Sequence, residues 1–274
     1  GLSRPLLLLR RNKMSTPAWR QPVIVVPLQQ VFPDLSEIKE FRSKVCIFNH
    51  DRTKLFDVVS PRYHVIQHAE AFDRVEEGLE AYFKKKVTSN IRTIDGGARF
   101  RAEFKLPMRP IKVGGSDVSE ITMVMQNSYN RSLTFSAELG AFRLICSNGM
   151  KIGQSFGSIK ARHVSGVEGW NILDAVDKMV LNAPRLKEVW QEWEGQWVQY
   201  EEAVELLNGQ FPDKYLTPVL SEERYPRTKW QLYNDLTSFA THDVGSVRRR
   251  MEFDDRIASL FYGDAGIEGA ELVD

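Results

Sequence analysis

The first half of the chain is dominated by short apolar runs separated by polar turns. Residues 121–126 are rich in β-branched and apolar side chains, residues 127–132 are polar, and apolar positions return with partial alternation over 133–142. This pattern predicts a β-hairpin at the centre of a sheet. Shorter runs predict further strands over residues 23–26, 45–48, 55–60, 63–67, 90–93, 98–106 and 110–113.

One stretch of the first half has helical rather than strand periodicity. Over residues 68–85, Phe72, Val75 and Leu79 recur at helical spacing and form one apolar stripe. Three lysines then follow, and positive charge is favourable at the C-terminal end of a helix. Helix termination is therefore one interpretation of this triplet, and contact with phosphate is the other. The three residues are Lys84, Lys85 and Lys86.

Helical spacing returns after Asn171, which is a candidate N-cap. Pro184 either interrupts this first helix or begins the next one. Helical spacing then continues over residues 186–207, which predicts a second helix. The same kind of spacing predicts two more helices, over 228–241 and 247–260. The tryptophans at i, i+3 and i+7 of the second helix are interpreted as core residues, because the surrounding glutamates would repel phosphate. They are Trp190, Trp193 and Trp197.

Taken together, these elements predict an α+β fold, with an antiparallel β-sheet region followed by a C-terminal helical region. Four segments are expected along the chain, and Met14 is a candidate natural start. They are a flexible lead-in over 1–22, a basic β-rich region over 23–166, an acidic helical region over 167–260 and an acidic tail over 261–274.

The distribution of charge is more informative than the net charge, which is +1. Residues 1–165 contain 26 Lys and Arg against 15 Asp and Glu, whereas residues 166–274 contain 11 against 21. Such asymmetry favours a polyanionic partner for the basic half. Two cysteines exclude a disulfide framework. No apolar run reaches the roughly 20 residues needed to span a bilayer, so no membrane partner is expected and the host cytoplasm is the predicted location.

The sequence contains no catalytic motif that we recognise. His64 and His68 are four residues apart, but a strand-to-helix junction is predicted between them, and Glu is missing from the pattern of a zinc protease. The Gly149, Gly153 and Gly157 segment lacks the Gly-Lys-Ser/Thr ending of a phosphate-binding loop. We therefore predict no enzyme activity, no metal site and no cofactor.

The strongest candidate chemistry is the binding of phosphate by cations on neighbouring strands. Arg99, Arg101 and Lys105 alternate with Phe100 and Phe104, which predicts a strand with one wet charged face. Tyr129 is predicted at the hairpin tip, where it could stack on a base or pack back on the sheet. The predicted nucleic-acid-binding residues are Lys84, Lys85, Lys86, Arg92, Arg99, Arg101, Lys105, Arg109, Lys112, Tyr129, Arg131, Lys151, Lys160 and Arg162.

Part of the chain resembles a family of uncharacterised proteins encoded by phages and plasmids. The resemblance lies in residues 59–72, in Asn127-Ser128-Tyr129, in residues 140–149 and in Arg162-His163, and it covers roughly residues 55–165. The chain departs from the family at Arg131, where Gly is usual. The chain is also similar in size and character to the single-stranded-DNA-binding RNA polymerase cofactors of podoviruses, which implies a phage RNA polymerase as partner.

These observations predict a single-stranded DNA-binding protein of low sequence specificity that acts as a transcription cofactor and recruits a phage RNA polymerase. No helix-turn-helix or zinc finger is evident, which disfavours sequence-specific reading of duplex DNA. The first alternative is an interaction protein that forms homo-oligomers, with the basic half of one subunit on the acidic half of the next. The second is a factor for DNA recombination or processing.

Overall fold

A computed structural model describes residues 16–114, 117–143, 148–151, 158–161, 163, 170–263 and 272–273. It confirms the α+β class. Its helices are α1 (Leu28–Val31), α2 (His68–Phe83), α3 (Ile172–Gly195), α4 (Tyr200–Leu207), α5 (Asp213–Leu216), α6 (Lys229–His242) and α7 (Val247–Tyr262). Its strands are β1 (Ile24–Pro27), β2 (Val45–Phe48), β3 (Leu55–Val59), β4 (Thr88–Ile94), β5 (Arg99–Lys105), β6 (Ile111–Val113), β7 (Asp117–Ser128), β8 (Phe135–Arg143), β9 (Asn148–Lys151), β10 (Ser158–Ala161), β11 (Trp197–Val198), β12 (Arg227–Thr228) and β13 (Leu272–Val273).

The larger sheet is organised around the long hairpin of β7 and β8. Its strands follow the order β13-β10-β8-β7-β5-β4, while β6 pairs with β7 and β9 pairs with β8. Among the described strands of this sheet, only β10 and β13 pair in parallel. The predicted hairpin is therefore the centre of the sheet, and β5 is an internal strand with a neighbour on each side.

A second sheet of three antiparallel strands, in the order β1-β2-β3, lies beside the tip of this hairpin. Tyr129 forms a small buried cluster with Ile47 and Val59 of the smaller sheet and with Val23, which directly precedes β1. Tyr129 follows β7 directly, and its N–H donates to the carbonyl of Ala98 at 2.7 Å. The two sheets therefore meet at the residue that was predicted at the hairpin tip.

One face of the larger sheet is apolar and is covered by α2 and α3. Phe100 and Phe104 of β5 are fully buried, and the ring centroid of Phe72 on α2 lies 5.0 Å from that of Phe104. The same hydrophobic core continues through α3, α6 and α7. The β-rich and helical regions thus pack against each other around one core.

The opposite face of β5 corrects the prediction of a wet charged surface. Arg99 and Arg101 are only 7% and 4% exposed. Arg101 lies 2.9 Å from Glu103 on its own strand and 3.3 Å from Asp254 on α7. Helix α7 therefore covers this face, and strand alternation alone could not reveal that a distant acidic helix docks there.

Three predicted element boundaries are also wrong. Residues 63–67 are not a strand, although the segment is ordered by contacts with its neighbours. Helix α3 continues through Pro184, which lies exposed on its surface. The helix predicted over 186–207 ends at Gly195, after which a two-residue strand and α4 follow. As a result Trp190 and Trp193 are buried as predicted, whereas Trp197 is 63% exposed.

Candidate aromatic pocket and the predicted nucleic-acid residues

Two of the segments that carry the family resemblance, residues 59–72 and Asn127-Ser128-Tyr129, meet at the beginning of α2. The side-chain amide of Asn127 donates to the carbonyl of Ile66 at 2.8 Å and to Nδ1 of His68 at 3.0 Å. The hydroxyl oxygen of Tyr129 accepts from the backbone N–H of His68 at 2.8 Å. Residues about 60 positions apart in sequence are thereby held in one hydrogen-bonded cluster.

His68 is the buried centre of this cluster. Its Nδ1 accepts from Asn127, which leaves Nε2 to donate to the carbonyl of Gly97 at 3.1 Å. The ring stacks on Tyr129 with centroids 3.7 Å apart. Burial lowers the pKa of His68 to about 3, so the imidazole is neutral at physiological pH. With both nitrogens engaged, His68 positions its neighbours and is not placed to exchange protons.

His163 attaches a further segment to the same region. Its backbone carbonyl accepts from the N–H of His64 at 2.8 Å, and its Nδ1 lies 3.2 Å from the carbonyl of His64. The ring stacks on Tyr63 at 4.8 Å between centroids, and burial lowers its pKa. These paired contacts explain why residues 63–67 are ordered without belonging to a strand.

A pocket of about 320 Å³ opens beside this cluster. Four residues with rings line it, of which Trp19 and Phe56 are partly exposed and His68 and Tyr129 are buried. Its remaining wall includes small residues and hydrogen-bonding side chains. The polar members are Gln21, Asn49, His50 and Thr93.

The pocket lining contains no carboxylate among the described residues, and cations lie beside it. Lys54 contacts the carbonyl of Asp95 through Nζ, and Nζ lies 5.9 Å from the ring centroid of Phe56. Arg52 is exposed on the turn that carries His50, whereas Arg92 is in register with Arg101 and so lies on the other face of β4 from the pocket residue Thr93. The carboxylate of Asp95 is paired with Arg99 at 3.3 Å. The site therefore combines aromatic surface, neutral hydrogen-bonding groups and accessible positive charge.

Comparison with known proteins assigns the chain to a family. Residues 55–260 match the family described as a domain of unknown function, DUF932. The chain belongs to DUF932. The match extends the resemblance seen over residues 55–165 into the helical region, so the family unit contains both parts of the fold. Phe56, His68 and Tyr129 of the pocket lie inside the matched range, whereas Trp19 and Asn49 precede it.

A curated relative of this DUF932 protein is the UPF0380 protein YafZ of Escherichia coli strain K12. The two are 28% identical over 129 residues, which are 46% of this chain and 44% of the relative. The chain thus spans less than half the length of the relative that it matches. No solved structure matches the chain.

Five of the predicted nucleic-acid residues are cations that already have carboxylate partners. Arg131 binds Asp57 through two nitrogens at 2.6 and 2.9 Å. Lys86 lies 2.6 Å from Glu80, and Lys105 is paired with Glu120. Arg99 and Arg101 are paired and buried, as described for β5. A continuous groove that uses all five as free cations is therefore ruled out.

Tyr129 is also placed differently from the prediction of an exposed tip residue. It is 3% exposed, and its ring stacks on His68 and lies 5.7 Å from Phe56. The second interpretation, in which the ring packs back on the sheet, describes it correctly. Arg131 occupies the tip instead, with a φ of 54°, the left-handed backbone that Gly adopts at least cost.

Five other predicted cations are exposed and make no ion pair within the described part of the chain, and they lie in three places. Lys84 and Lys85 follow α2, and Arg92 lies on the edge strand β4, on the face opposite the aromatic pocket. Arg109 and Lys112 line a second cavity against α3. The side chains of Lys151 and Lys160, and all of Arg162, lie outside the described residues. The sequence did not single out Trp19, Phe56 or Asn127 as site residues, because their role depends on contacts between distant segments.

Two negative findings concern the described residues. They contain no group of three or more His, Cys, Asp or Glu side chains placed to hold a metal ion. They also contain no helix that is both long and apolar enough to cross a membrane.

Proposed function

We propose that this DUF932 protein binds single-stranded nucleic acid and that the aromatic pocket receives one unstacked base. The observation that carries the proposal is the pocket itself, in which four rings line a cavity of about 320 Å³ with cations beside it. Proteins that hold single strands combine aromatic surfaces for the bases with positive charge for the backbone. This pocket has both within one small region.

The lining supports binding of a base rather than of an apolar ligand. Trp19 and Phe56 are half-buried, so each retains ring surface for stacking. The amide of Gln21 offers a donor and an acceptor, which suit the edges of any of the bases, whereas the amide of Asn49 is bonded to Thr53 and Lys54 within its own turn. Stacking tolerates every base because each has a π-face, and this agrees with the predicted low sequence specificity.

The phosphate contacts are assigned to cations beside the pocket instead of to β5. Arg52 and Lys54 are exposed, whereas the five paired cations of the original set are engaged by carboxylates. A short strand could cross this region with one base inserted and its neighbouring phosphates at these two residues. Two contacts would give binding that weakens moderately as salt increases.

The test is binding of labelled oligo-dT and of duplex DNA of equal length, measured by fluorescence anisotropy. We expect preference for the single strand. Replacing Phe56 or Trp19 by Leu should weaken binding roughly tenfold, since stacking contributes about 1–3 kcal/mol per base. Trp197→Leu is the matched control, because this exposed indole lies outside the pocket lining.

Tryptophan fluorescence adds a second measurement. Oligo-dT should quench the emission of the wild-type protein and of Trp197→Leu, and it should quench much less in Trp19→Leu. Equal affinity of all three proteins for oligo-dT, or equal affinity for single strand and duplex, would reject the pocket as the base site. Recruitment of a phage RNA polymerase, which the resemblance to podovirus cofactors implies, remains a prediction, and no residues are assigned to it. The absence of enzyme activity also remains a prediction.

A further inference from the structure

A second cavity lies between helix α3 and the segment that leads into β6, toward the opposite end of β7 from Tyr129. Its volume is about 450 Å³, which falls in the range of roughly 300–1,000 Å³ typical of small-molecule sites. One wall comes from residues 108–112 and Ile121, and the other from residues of α3. The cavity shares no lining residue with the aromatic pocket.

Three cations line this cavity, and they come from both walls. Arg109 and Lys112 lie on the β6 side, and Lys187 lies on α3. All three are exposed, and no ion pair engages them within the described part of the chain. Of the carboxylates nearby, Glu120 pairs with Lys105, whereas Glu194 packs against Gly114 without an ion pair in the described part of the chain. Among the residues that the structure describes, the lining itself contains three cations and no carboxylate.

The floor of the cavity is aliphatic. Ile111, Ile121 and Ala183 are buried, and Met108 and Val180 are half-buried. The lining includes no aromatic ring, so a nucleobase would find no stacking surface here. Pro184 also lines the cavity, and because proline has no N–H, the carbonyl of Val180 lacks its usual helical donor.

We propose that this cavity binds an anionic amphiphile, with an aliphatic chain on the floor and a phosphate or carboxylate head between the three cations. The aliphatic chain of the ligand would cover the parts of Met108 and Val180 that are exposed to water. The head would accept charge-assisted hydrogen bonds from Arg109, Lys112 and Lys187. The proposal does not depend on nucleic-acid binding, because it concerns a different cavity with a different chemistry.

Isothermal titration calorimetry on the full chain tests this with octyl phosphate, kept below its micelle concentration. Octanol, which lacks the charged head, and inorganic phosphate, which lacks the aliphatic chain, are titrated separately for comparison. We expect octyl phosphate to bind at least about tenfold more tightly than either, as both parts contribute. Octanoate in a parallel titration distinguishes a carboxylate head from a phosphate head.

Two variants locate the binding. Lys187→Glu reverses one exposed charge with little effect on folding, and it should weaken octyl phosphate about tenfold or more. Lys85→Glu is the matched control, because it is an exposed lysine outside the cavity, and it should bind as the wild type does. Equal weakening by both variants would show a general charge effect and overturn the proposal.

A competition experiment separates this inference from the proposed function. Octyl phosphate should not displace oligo-dT, and Phe56→Leu should bind octyl phosphate normally. Displacement of octyl phosphate by oligo-dT would make the cavity part of the nucleic-acid interface and would overturn the inference while leaving nucleic-acid binding intact. Failure to bind octyl phosphate together with normal oligo-dT binding would also reject it.

Discussion

At the scale of single residues, His68 is held by hydrogen bonds at both ring nitrogens and at its backbone N–H. Asn127, Gly97 and Tyr129 supply the three partners. The ring is fully buried and lies between Tyr129 and Phe100. Such a closed set of contacts leaves no group for proton transfer, but it makes the fold sensitive to protonation of this one side chain.

The first prediction concerns this protonation. His68 has a pKa of about 3 in the fold and near 6.5 when unfolded, so below pH 6.5 the unfolded chain binds one more proton. Its contribution to stability is complete above pH 6.5 and is lost as the pH falls toward 3. His163 shifts in the same direction. We expect the free energy of unfolding, measured with urea, to fall by up to about 1.4 kcal/mol per pH unit for His68.

Between pH 6.5 and 5, His68→Gln should remove the part of the slope of unfolding free energy against pH that comes from His68. The substitution also lowers stability at neutral pH. His242→Gln is the control, because His242 is exposed and near the end of α6. Identical slopes in the wild type and in His68→Gln would contradict the neutral, buried state of His68.

Among the elements, α2 and α3 approach each other closely at Gly78. A Cβ added to this residue would lie 2.3 Å from Cγ2 of Ile172, the first residue of α3. Only a residue without a side chain allows this approach. Helix α7 is fixed differently, through the buried pairing of Asp254 with Arg101 on β5. One interface therefore depends on steric fit and the other on charge.

The second prediction tests the steric interface. Gly78→Ala should raise helix propensity by about 1 kcal/mol, yet lower overall stability by about 1–3 kcal/mol because the new methyl group collides with Ile172. Gly195→Ala is the matched control at the end of α3, where an added Cβ meets nothing within 4 Å. Chemical denaturation measures both. A stabilised Gly78→Ala protein would show that the helices separate at little cost.

The third prediction tests the charged interface. Arg101→Met leaves the carboxylates of Glu103 and Asp254 without their shared cation, and we expect a loss of about 3–5 kcal/mol. Adding Asp254→Asn should recover part of this loss, since it removes one of the two carboxylates that Arg101 neutralised. A double-mutant cycle in urea gives the coupling. Additive effects of the two substitutions would mean that α7 docks on the sheet without help from this pair.

For the whole molecule, the contrast between a basic and an acidic half is partly cancelled inside one chain. Arg101 in the basic half pairs with Asp254 in the acidic half, and other cations are paired with carboxylates of the first half, as Lys105 is with Glu120. Charge asymmetry along the sequence is thus not the same as charge asymmetry over the surface. Of the cations predicted to bind nucleic acid, those that are exposed and make no ion pair within the described part of the chain lie after α2, on β4 and beside the second cavity.

The fourth prediction concerns the salt dependence of oligo-dT binding. Because Arg52 is proposed to contact a phosphate, Arg52→Gln should reduce the slope of log affinity against log salt concentration by about 0.7, the value for one contact with a single strand. Arg248→Gln is the control, because Arg248 is paired with Glu252 on α7. Anisotropy titrations at several salt concentrations measure the slope, and an unchanged slope would remove Arg52 from the interface.

The fifth prediction addresses oligomerisation through opposite charges. Because Arg101, Lys105 and Arg131 are neutralised within the chain, we expect no association that disappears as salt increases. Sedimentation velocity at low and high salt should give the same species. An oligomer that dissociates at high salt would favour the interaction protein over the nucleic-acid-binding protein.

Local pattern was a reliable guide where burial follows from one element alone. The β7–β8 hairpin, α2, and the burial of Trp190 and Trp193 follow from periodicity, because each apolar face needs a partner whatever that partner is. The environment of Arg101 could not be predicted, since a helix about 150 residues later covers it. For the same reason the pocket was missed: Trp19, Phe56 and Tyr129 meet only after two sheets have packed together.

The ion pair between Arg131 and Asp57, with its two hydrogen bonds, connects the hairpin tip to the residue that follows Phe56 on β3. The tip and one wall of the pocket are therefore mechanically coupled, although Arg131 does not line the pocket. A ligand that moves Phe56 must pull on this connection. If the pocket receives a base as proposed, substitutions at the hairpin tip would change how easily Phe56 moves, and with it the rate of ligand release, without altering the surface that the ligand touches.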